Sequence, residues 1–526
     1  MILREAISKI RAEAGLSQER FAELFGVSRQ SVQKWESGAS TPDLPKLVEI
    51  AKKFNVSLDA MILNRDSRMV ETLNENRSVK PKYESLGEWE FYGADLMTEY
   101  VQSVEEGLDI EEYKPLFEAA ARLPKNEIQK DLGDILYKIV ANAKQKDGYP
   151  YREPSTLDEI RALRKGKKPL AGVKKETLRK KIEGAWQGRI CGCMLGKSVE
   201  CIRTNELIPF LKETGNYPMH RYIRRTDITD EICKKYTFPF AKRMYADEID
   251  GMPVDDDTNY VVLAQVIVGE CGRDFTPKNV ADAWLNRQSK NMYCTAERVA
   301  YRNFIAGYEP PFSAIYKNPY REWIGAQIRG DYFGYINPGD PETAAEMAWR
   351  DASISHVKNG IYGEMFAAAM IATAAVTDDM TGIVEGGLAE IPYTSRLYEK
   401  VAGVLEGYHN GLPREECFAR IHAAYDEYTA HGWCHTISNA MIVAASLLYG
   451  GGDFGKSVCM AVETGFDTDC NGATVGSVVG MAKGIDEISE EWKAPMHDTL
   501  HTSIFGVGTV KISDRVTMTM KHIGKV

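Results

Sequence analysis

Apolar positions at Ile2, Ala6, Ile10 and Ala14 recur about once per helical turn and stop at Gly15. Ser17 then precedes a short run from Gln18 to Phe25 that ends at Gly26, and Ser28 precedes a second run from Arg29 to Glu36 that ends at Ser37-Gly38. A serine before each run and a glycine after it are start and stop signals, so two short helices joined by a tight turn are predicted, a helix-turn-helix. Within the second helix Val32 and Trp35 share the buried face, which leaves Arg29, Gln30, Gln33 and Lys34 outward. Arginine, glutamine and lysine read base edges or hold phosphates, and helix N-termini meet the nucleic-acid backbone. The expected DNA-contacting set is therefore Gln18, Ser28, Arg29, Gln30, Gln33 and Lys34.

Beyond this module the chain is more charged. Residues 90–101 and 128–140 keep a helical period and read as a helical connector. Residues 68–82 and 145–154 are polar and carry proline, which marks them as linkers. The basic run at 161–168 reads as solvated surface in preference to a DNA contact. The boundaries that follow are 1–65 for a DNA-binding domain, 66–172 for the connector and 173–526 for a large third domain.

The third domain carries a different signal. Gly184, Gly188, Gly192 and Gly196 stand four residues apart, and Gly472, Gly476 and Gly480 repeat the spacing near the C-terminus. Four glycines cost an isolated helix about 4 kcal/mol relative to alanine, so close packing against a neighbour must offset them. Pressing the two smooth faces together would bring Glu200, just past one helix, beside Asp467 and Asp469 at the start of the other. A second acidic cluster, Asp255-Asp256-Asp257, leads into the apolar run 261–268. Each cluster alone fits helix capping. Together, adjacent carboxylates before two buried helices call for cations, and oxygen donors without chelating histidines favour Mg²⁺, Mn²⁺ or Ca²⁺ over zinc.

Composition narrows the setting. The 526 residues are 44% hydrophobic with net charge −10, so any DNA contact has to come from a local patch. Ten scattered cysteines without a CxxC pair suit reduced thiols. No stretch has the roughly 18 apolar residues of a membrane span and the N-terminus lacks a secretory pattern, so a cytoplasmic, membrane-free protein is expected.

Two resemblances sharpen these expectations. Leu16-Ser17-Gln18, Ala22-Glu23, Val27-Ser28, Trp35-Glu36-Ser37-Gly38 with Pro42, and the closing Leu47, Ile50, Ala51, Phe54, Val56, Ser57, Leu58 and Asp59 resemble the Xre or lambda-repressor-like helix-turn-helix family. That resemblance implies DNA as a partner and recognition by a homodimer. The region from about 178 to 526 resembles the ADP-ribosylglycohydrolase family, through Gly192-Cys193-Met194-Leu195-Gly196-Lys197-Ser198-Val199-Glu200, Asp255-Asp256-Asp257-Thr258 and Asp467-Thr468-Asp469-Cys470.

The second resemblance implies an all-α fold and a binuclear magnesium site, with Mn²⁺ as a substitute. The implied activity cleaves the bond between ADP-ribose, or a related ribosyl group, and a small acceptor or modified protein. It makes Asp256, Asp257, Asp467 and Asp469 metal ligands, with Asp255 and Cys470 where the family presents a hydroxyl. Glu200 falls at the position of a movable ligand or base, and Glu200, Asp257 and Asp469 are the candidates to move the proton. Departures from the family pattern stand at Cys193, Asp255 and Cys470, with Asn471 able to supply a carbonyl oxygen. By family position the glycine-rich, aromatic loop 325–335 cradles the diphosphate and adenine, through Gly325, Arg329 and Tyr332, and His356 lines the pocket. His435 reads as structural. The rival function is a regulator whose former enzyme domain senses the ligand without turning it over.

Overall fold

A computed structural model of the chain describes residues 2–54, 56, 61, 81–166 and 170–524. They fall into two compact units, Met1–Lys82 and Tyr83–Val526. Residues 57–59 of the family-like closing segment, 68–80 of the expected linker, and Lys167 and Lys168 of the basic run lie outside the described residues.

The first unit is built on helices α1 (Ile2–Glu13), α2 (Gln18–Leu24), α3 (Arg29–Ser37) and α4 (Leu44–Phe54). Ser17 accepts a hydrogen bond from the Arg20 amide to cap α2, and Ser28 accepts one from the Ser31 amide to cap α3. Gly38 ends α3 at φ 78°, a conformation that costs glycine little. Ile7, Phe21, Phe25, Val32, Trp35 and Ile50 form the core. Glu36 accepts from Arg11 at 2.6 Å and from the Gln18 amide at 2.7 Å, which ties α1, α2 and α3 together.

In the second unit, α5 (Leu96–Glu105), α6 (Lys114–Ala121) and α7 (Glu127–Asn142) carry a small core of their own around Leu96, Ile110, Phe117 and Leu136. These expected connector helices are nevertheless part of the large unit, because buried ion pairs fasten them to it. Arg321 bonds Glu99 at 2.7 Å and Glu106 at 2.6 Å, and the Gln102 amide donates to Glu322 at 2.7 Å. The stretch expected to be a linker at 145–154 is also held: the Tyr149 hydroxyl donates to the Glu105 carbonyl at 2.7 Å, and Glu153 pairs with Arg396 at 2.8 Å. The described part of the basic run is likewise paired, Arg161 with Glu346 at 2.6 Å and Arg164 with Glu342 at 2.9 Å.

The centre of the large domain is an antiparallel pair, α8 (Lys175–Lys197) and a helix at Thr468–Lys483. Around it lie α9 (Asp256–Cys271), α10 (Thr295–Ile305), α11 (Lys358–Ala374), α12 (Arg396–His409), α13 (Thr436–Gly450) and α14 (Phe454–Glu463), with the Thr468–Lys483 helix as α15. A two-stranded antiparallel ribbon, β1 (Thr499–His501) and β2 (Thr509–Lys511), leads into α16 (Ile512–His522). No helix among the described residues is long and apolar enough to cross a membrane.

The glycines of α8 and α15 meet rung by rung. A Cβ on Gly184 would stand 2.3 Å from the Gly480 carbonyl oxygen, one on Gly188 2.1 Å from that of Gly476, and one on Gly192 2.0 Å from that of Gly472. At Gly196 the facing carbonyl is that of Thr468, at 2.2 Å. No side chain fits at these positions, so the backbones approach as closely as sterics allow. Gly188→Ala is therefore expected to cost about 3 kcal/mol or more in urea unfolding. The exposed helical Gly403 has nothing within 4 Å of its would-be Cβ, and Gly403→Ala should gain about 1 kcal/mol.

Candidate active site

The glycine pair runs antiparallel, so the C-terminal end of α8 lies against the N-terminal end of α15. The Thr468 hydroxyl donates to the Gly196 carbonyl at 2.9 Å and fixes that junction. Glu200, three residues beyond α8, is thereby set near Asp467 and Asp469. The segment before α15 is bent, with Gly465 at φ 76° and Phe466 at φ 58°. A left-handed phenylalanine costs energy that the surroundings must offset. Phe466 is fully buried, and its carbonyl accepts from the Trp433 indole.

The third acidic segment arrives on α9. Asp255 caps this helix, its Oδ1 accepting from the Asp257 amide at 2.9 Å, while its Oδ2 pairs with Lys197 at the end of α8. Asp257 is fully buried; Arg189, in the middle of α8, reaches its Oδ1 at 2.9 Å and its carbonyl at 2.9 Å, with the other guanidinium arm on Asp331 at 2.9 Å. Asp257 Oδ2 and Asp469 Oδ1 are buried with no hydrogen-bond partner among the described residues, and so is Asn471 Oδ1. The Asn471 amide nitrogen instead donates to Asn439 at 2.8 Å.

Asp255, Asp256, Asp257, Asp467, Asp469 and Glu200 are thus brought together, and the cations in contact with them are Arg189, Lys197 and Arg243. The imbalance is felt by every shifted group. Burial, then Asp255, pushes the Asp256 and Glu200 carboxyls up from their ordinary values. Burial raises Asp257 against the opposing pull of Arg189, and burial with Glu200 raises Asp469. Asp467 is pushed up to about 7, chiefly by burial. Glu200 is half-buried, its side chain 32% exposed, with Arg243 at 3.7 Å. Cys470 joins Asp257 and Asp469 in one group of mutually close donor atoms, and Cys193 joins Asp255 and Asp257 in another.

The expected substrate loop is placed differently. Gly325 is required, since a Cβ there would stand 1.8 Å from Glu297, but residues 325–335 are buried throughout. Arg329 is enclosed by Asp351, by Glu297 at 3.2 Å and by Ser355 at 2.8 Å, with Trp284 and Tyr260 against its guanidinium. Tyr332 is fully buried, its hydroxyl 2.7 Å from His522 and its ring edge-on to Trp186, so it offers no face for stacking. His356 is 1% exposed and bonds Ser355 at 2.8 Å, as a core histidine does. Gly330 and Gly334 pack where a Cβ would strike Glu364 and Ile371. This is the same four-residue glycine spacing seen in α8, and it reports helix packing here as well. His435 caps α13 through its Nδ1, the structural role expected of it.

Three features of the site left weaker marks in the sequence. Arg189 is the one cation within the glycine-spaced stretch 184–196, which signals a buried partner. Lys197 ends that helix. The Arg203 guanidinium lies 5.0 Å over the Trp433 ring, and no spacing between 203 and 433 discloses that.

In the N-terminal unit, Arg29, Gln30, Gln33 and Lys34 are exposed on α3, with Arg29 paired to Glu19 at 2.7 Å. Ser28 is engaged as the α3 cap and Gln18 holds Glu36.

Comparison with known proteins finds matches in both units. Residues 174–521 match the family model described as ADP-ribosylglycohydrolase, and residues 7–61 match the helix-turn-helix model. The chain is 37% identical over 79 residues to the HTH-type transcriptional activator BcrR of Enterococcus faecalis, covering 15% of this chain and 38% of that protein. It is 30% identical over 84 residues to the SPbeta prophage-derived uncharacterized HTH-type transcriptional regulator YonR of Bacillus subtilis (strain 168), covering 16% and 78%. The chain thus spans well under half of BcrR and most of YonR. A solved structure described as an ADP-ribosylglycohydrolase-related protein complex is similar over 66% of this chain and 98% of that one, at 17% identity and a TM-score of 0.40. The chain belongs to the ADP-ribosylglycohydrolase family and carries a helix-turn-helix domain of the Xre type at its N-terminus.

Proposed function

We propose that the large domain is a divalent-cation-dependent glycohydrolase acting on an ADP-ribosyl or related ribosyl compound, joined to a DNA-binding regulatory domain. The observation that carries this reading is the cluster of six carboxylates, four of them buried, with Asp257 Oδ2 and Asp469 Oδ1 unpartnered among the described residues. Such oxygens at the end of a rigid helix pair fit a divalent cation. Asp256, Asp257, Asp467 and Asp469 would hold the two ions, with Asp255 and Asn471 beside them. Bound there, two cations supply Lewis-acid charge to a ribose and the attacking water.

The chain's own groups do the rest. Glu200 takes the proton from the water, because its side chain is 32% exposed and its raised carboxyl makes a stronger base. The remaining carboxylates oppose the positive charge that develops on the sugar in an oxocarbenium-like transition state. Arg243, and Arg203 with Trp433, offer guanidinium and aromatic surface at the same end of α8, suited to an anionic diphosphate and a base. Two copies bound to a paired operator site would supply DNA recognition by the exposed face of α3. All ten cysteines are free thiols, which fits a cytoplasmic setting.

Incubation with Mg²⁺ and a panel of ADP-ribosylated arginine, serine and free ribosyl compounds should release ADP-ribose. Glu200→Gln should lower kcat at least about 100-fold, and Asp256→Asn with Asp467→Asn should abolish Mg²⁺-linked thermal stabilisation. Tight binding with no turnover of any compound assigns the domain as a ligand sensor instead.

The pH dependence has a defined sign. Asp467 is raised from the aspartate range near ~3.9 to about 7, so between those values the cation-free folded protein binds more protons than the unfolded chain. Its stability should fall as pH rises through that window, and the gain in Tm on adding Mg²⁺ should be larger at about pH 8 than at about pH 5.5. A Mg²⁺ effect independent of pH contradicts the assignment. For the DNA-binding unit, Arg29→Ala with Gln33→Ala should weaken binding to the protein's own promoter by about 2 kcal/mol or more, read by fluorescence anisotropy.

A further inference from the structure

Two departures from the family pattern, far apart in sequence, meet at one carboxylate. Sγ of Cys193 shares a group of donor atoms, all within 4.8 Å of one another, with Asp255 and Asp257; Sγ of Cys470 shares another with Asp257 and Asp469. Cys193 follows Gly192 on α8, and Cys470 stands two residues before Gly472 on α15. The rung of Gly192 against Gly472 therefore fixes both thiols. Cys193 is fully buried and Cys470 is 6% exposed. In the same groups, Asp257 Oδ2 and Asp469 Oδ1 are enclosed without a hydrogen-bond partner among the described residues.

We infer that the Asp257 side of the acid cluster carries two sulfur–oxygen donor sets, Cys193 with Asp255 and Asp257 and Cys470 with Asp257 and Asp469, and that it takes a thiophilic divalent cation of the Zn²⁺ or Co²⁺ kind, through thiolate, in preference to Mg²⁺. The inference rests on the cation-binding reading above and gives that site an ion selectivity. Thiolates bind zinc and cobalt(II) strongly and magnesium poorly, whereas the remaining carboxylates and Asn471 are hard oxygen donors. The donor set is accordingly divided, soft at the Asp257 side and hard toward Asp256 and Asp467. On binding, each Sγ–H bond breaks, a sulfur–metal bond forms, and the proton leaves to solvent. No change of oxidation state is involved.

The test is a Co²⁺ titration of the full chain, stripped with a chelator and kept reduced with a phosphine. Thiolate coordination is read directly as a sulfur-to-cobalt charge-transfer band in the near ultraviolet, independently of turnover. The band should saturate, resist a large excess of Mg²⁺ and disappear with Zn²⁺. Cys193→Ser with Cys470→Ser should abolish it and weaken Zn²⁺ binding about 100-fold or more, while Cys201→Ser with Cys271→Ser, at exposed thiols, should leave it intact. Cys470→Thr, which restores the hydroxyl of the family motif, should shift the preference toward Mg²⁺. Co²⁺ bound to the wild-type chain without the band overturns the inference whatever the variants do, and so does a band that survives in the folded Cys193→Ser/Cys470→Ser protein. If no divalent cation binds at all, the cation-binding reading itself is what fails.

Discussion

The structure depends on one steric fact: α8 and α15 approach so closely that no Cβ fits between them at four successive rungs. A carbonyl oxygen 2.0–2.4 Å from each would-be Cβ leaves no tolerance for sliding, since a shift of one residue would drive a side chain into backbone. Register is therefore fixed to the residue, and the ends of the two helices are fixed with it. Placing Glu200 opposite Asp467 and Asp469 is a consequence of that register. Thr468, whose hydroxyl closes the last rung onto Gly196, joins the packing to the chemistry.

A rigid pair of backbones also permits the chain to bury charge. Arg189 projects from the same α8 and divides its guanidinium between Asp257 and Asp331, both fully enclosed. Replacing it would leave two buried acids without their cation, a change worth several kcal/mol. Arg329 does similar work for Asp351 and Glu297, and Arg321 and Arg396 do it for the connector helices through Glu99, Glu106, Glu153 and Glu322. Four buried arginines thus hold elements whose apolar contacts are separate, which is why helices with their own small core still belong to the large domain. Against this pattern of paired charge the Asp467 and Asp469 end stands out, because carboxylates outnumber the cations that reach them.

Several of these features were legible in the residues. Serine caps and glycine stops marked α2 and α3 to within a residue or two, because capping is local chemistry. Glycine at every fourth position identified two helices that must pack tightly, because only close approach explains so many poor helix formers in sequence. The same spacing occurs at Gly330 and Gly334, where the family position implies a ligand loop and the packing against Glu364 and Ile371 makes it part of the core. The polar segment at 145–154 carried no mark of the Tyr149 and Glu153 bonds that hold it.

By itself, then, the sequence determined what depends on neighbours along the chain: the helical class, the caps, the smooth helix faces and the acidic runs that precede buried helices. Tertiary structure alone decided what depends on residues hundreds of positions apart. It set Asp257 against Arg189, carried Arg203 onto Trp433, took Arg329 and Tyr332 into the core, and brought Cys193 and Cys470 to the same carboxylate. The physical reason is that local propensity acts over a helical turn, whereas burial, ion pairing and donor geometry are properties of a register. Here that register is set by seven glycines with no room for anything larger.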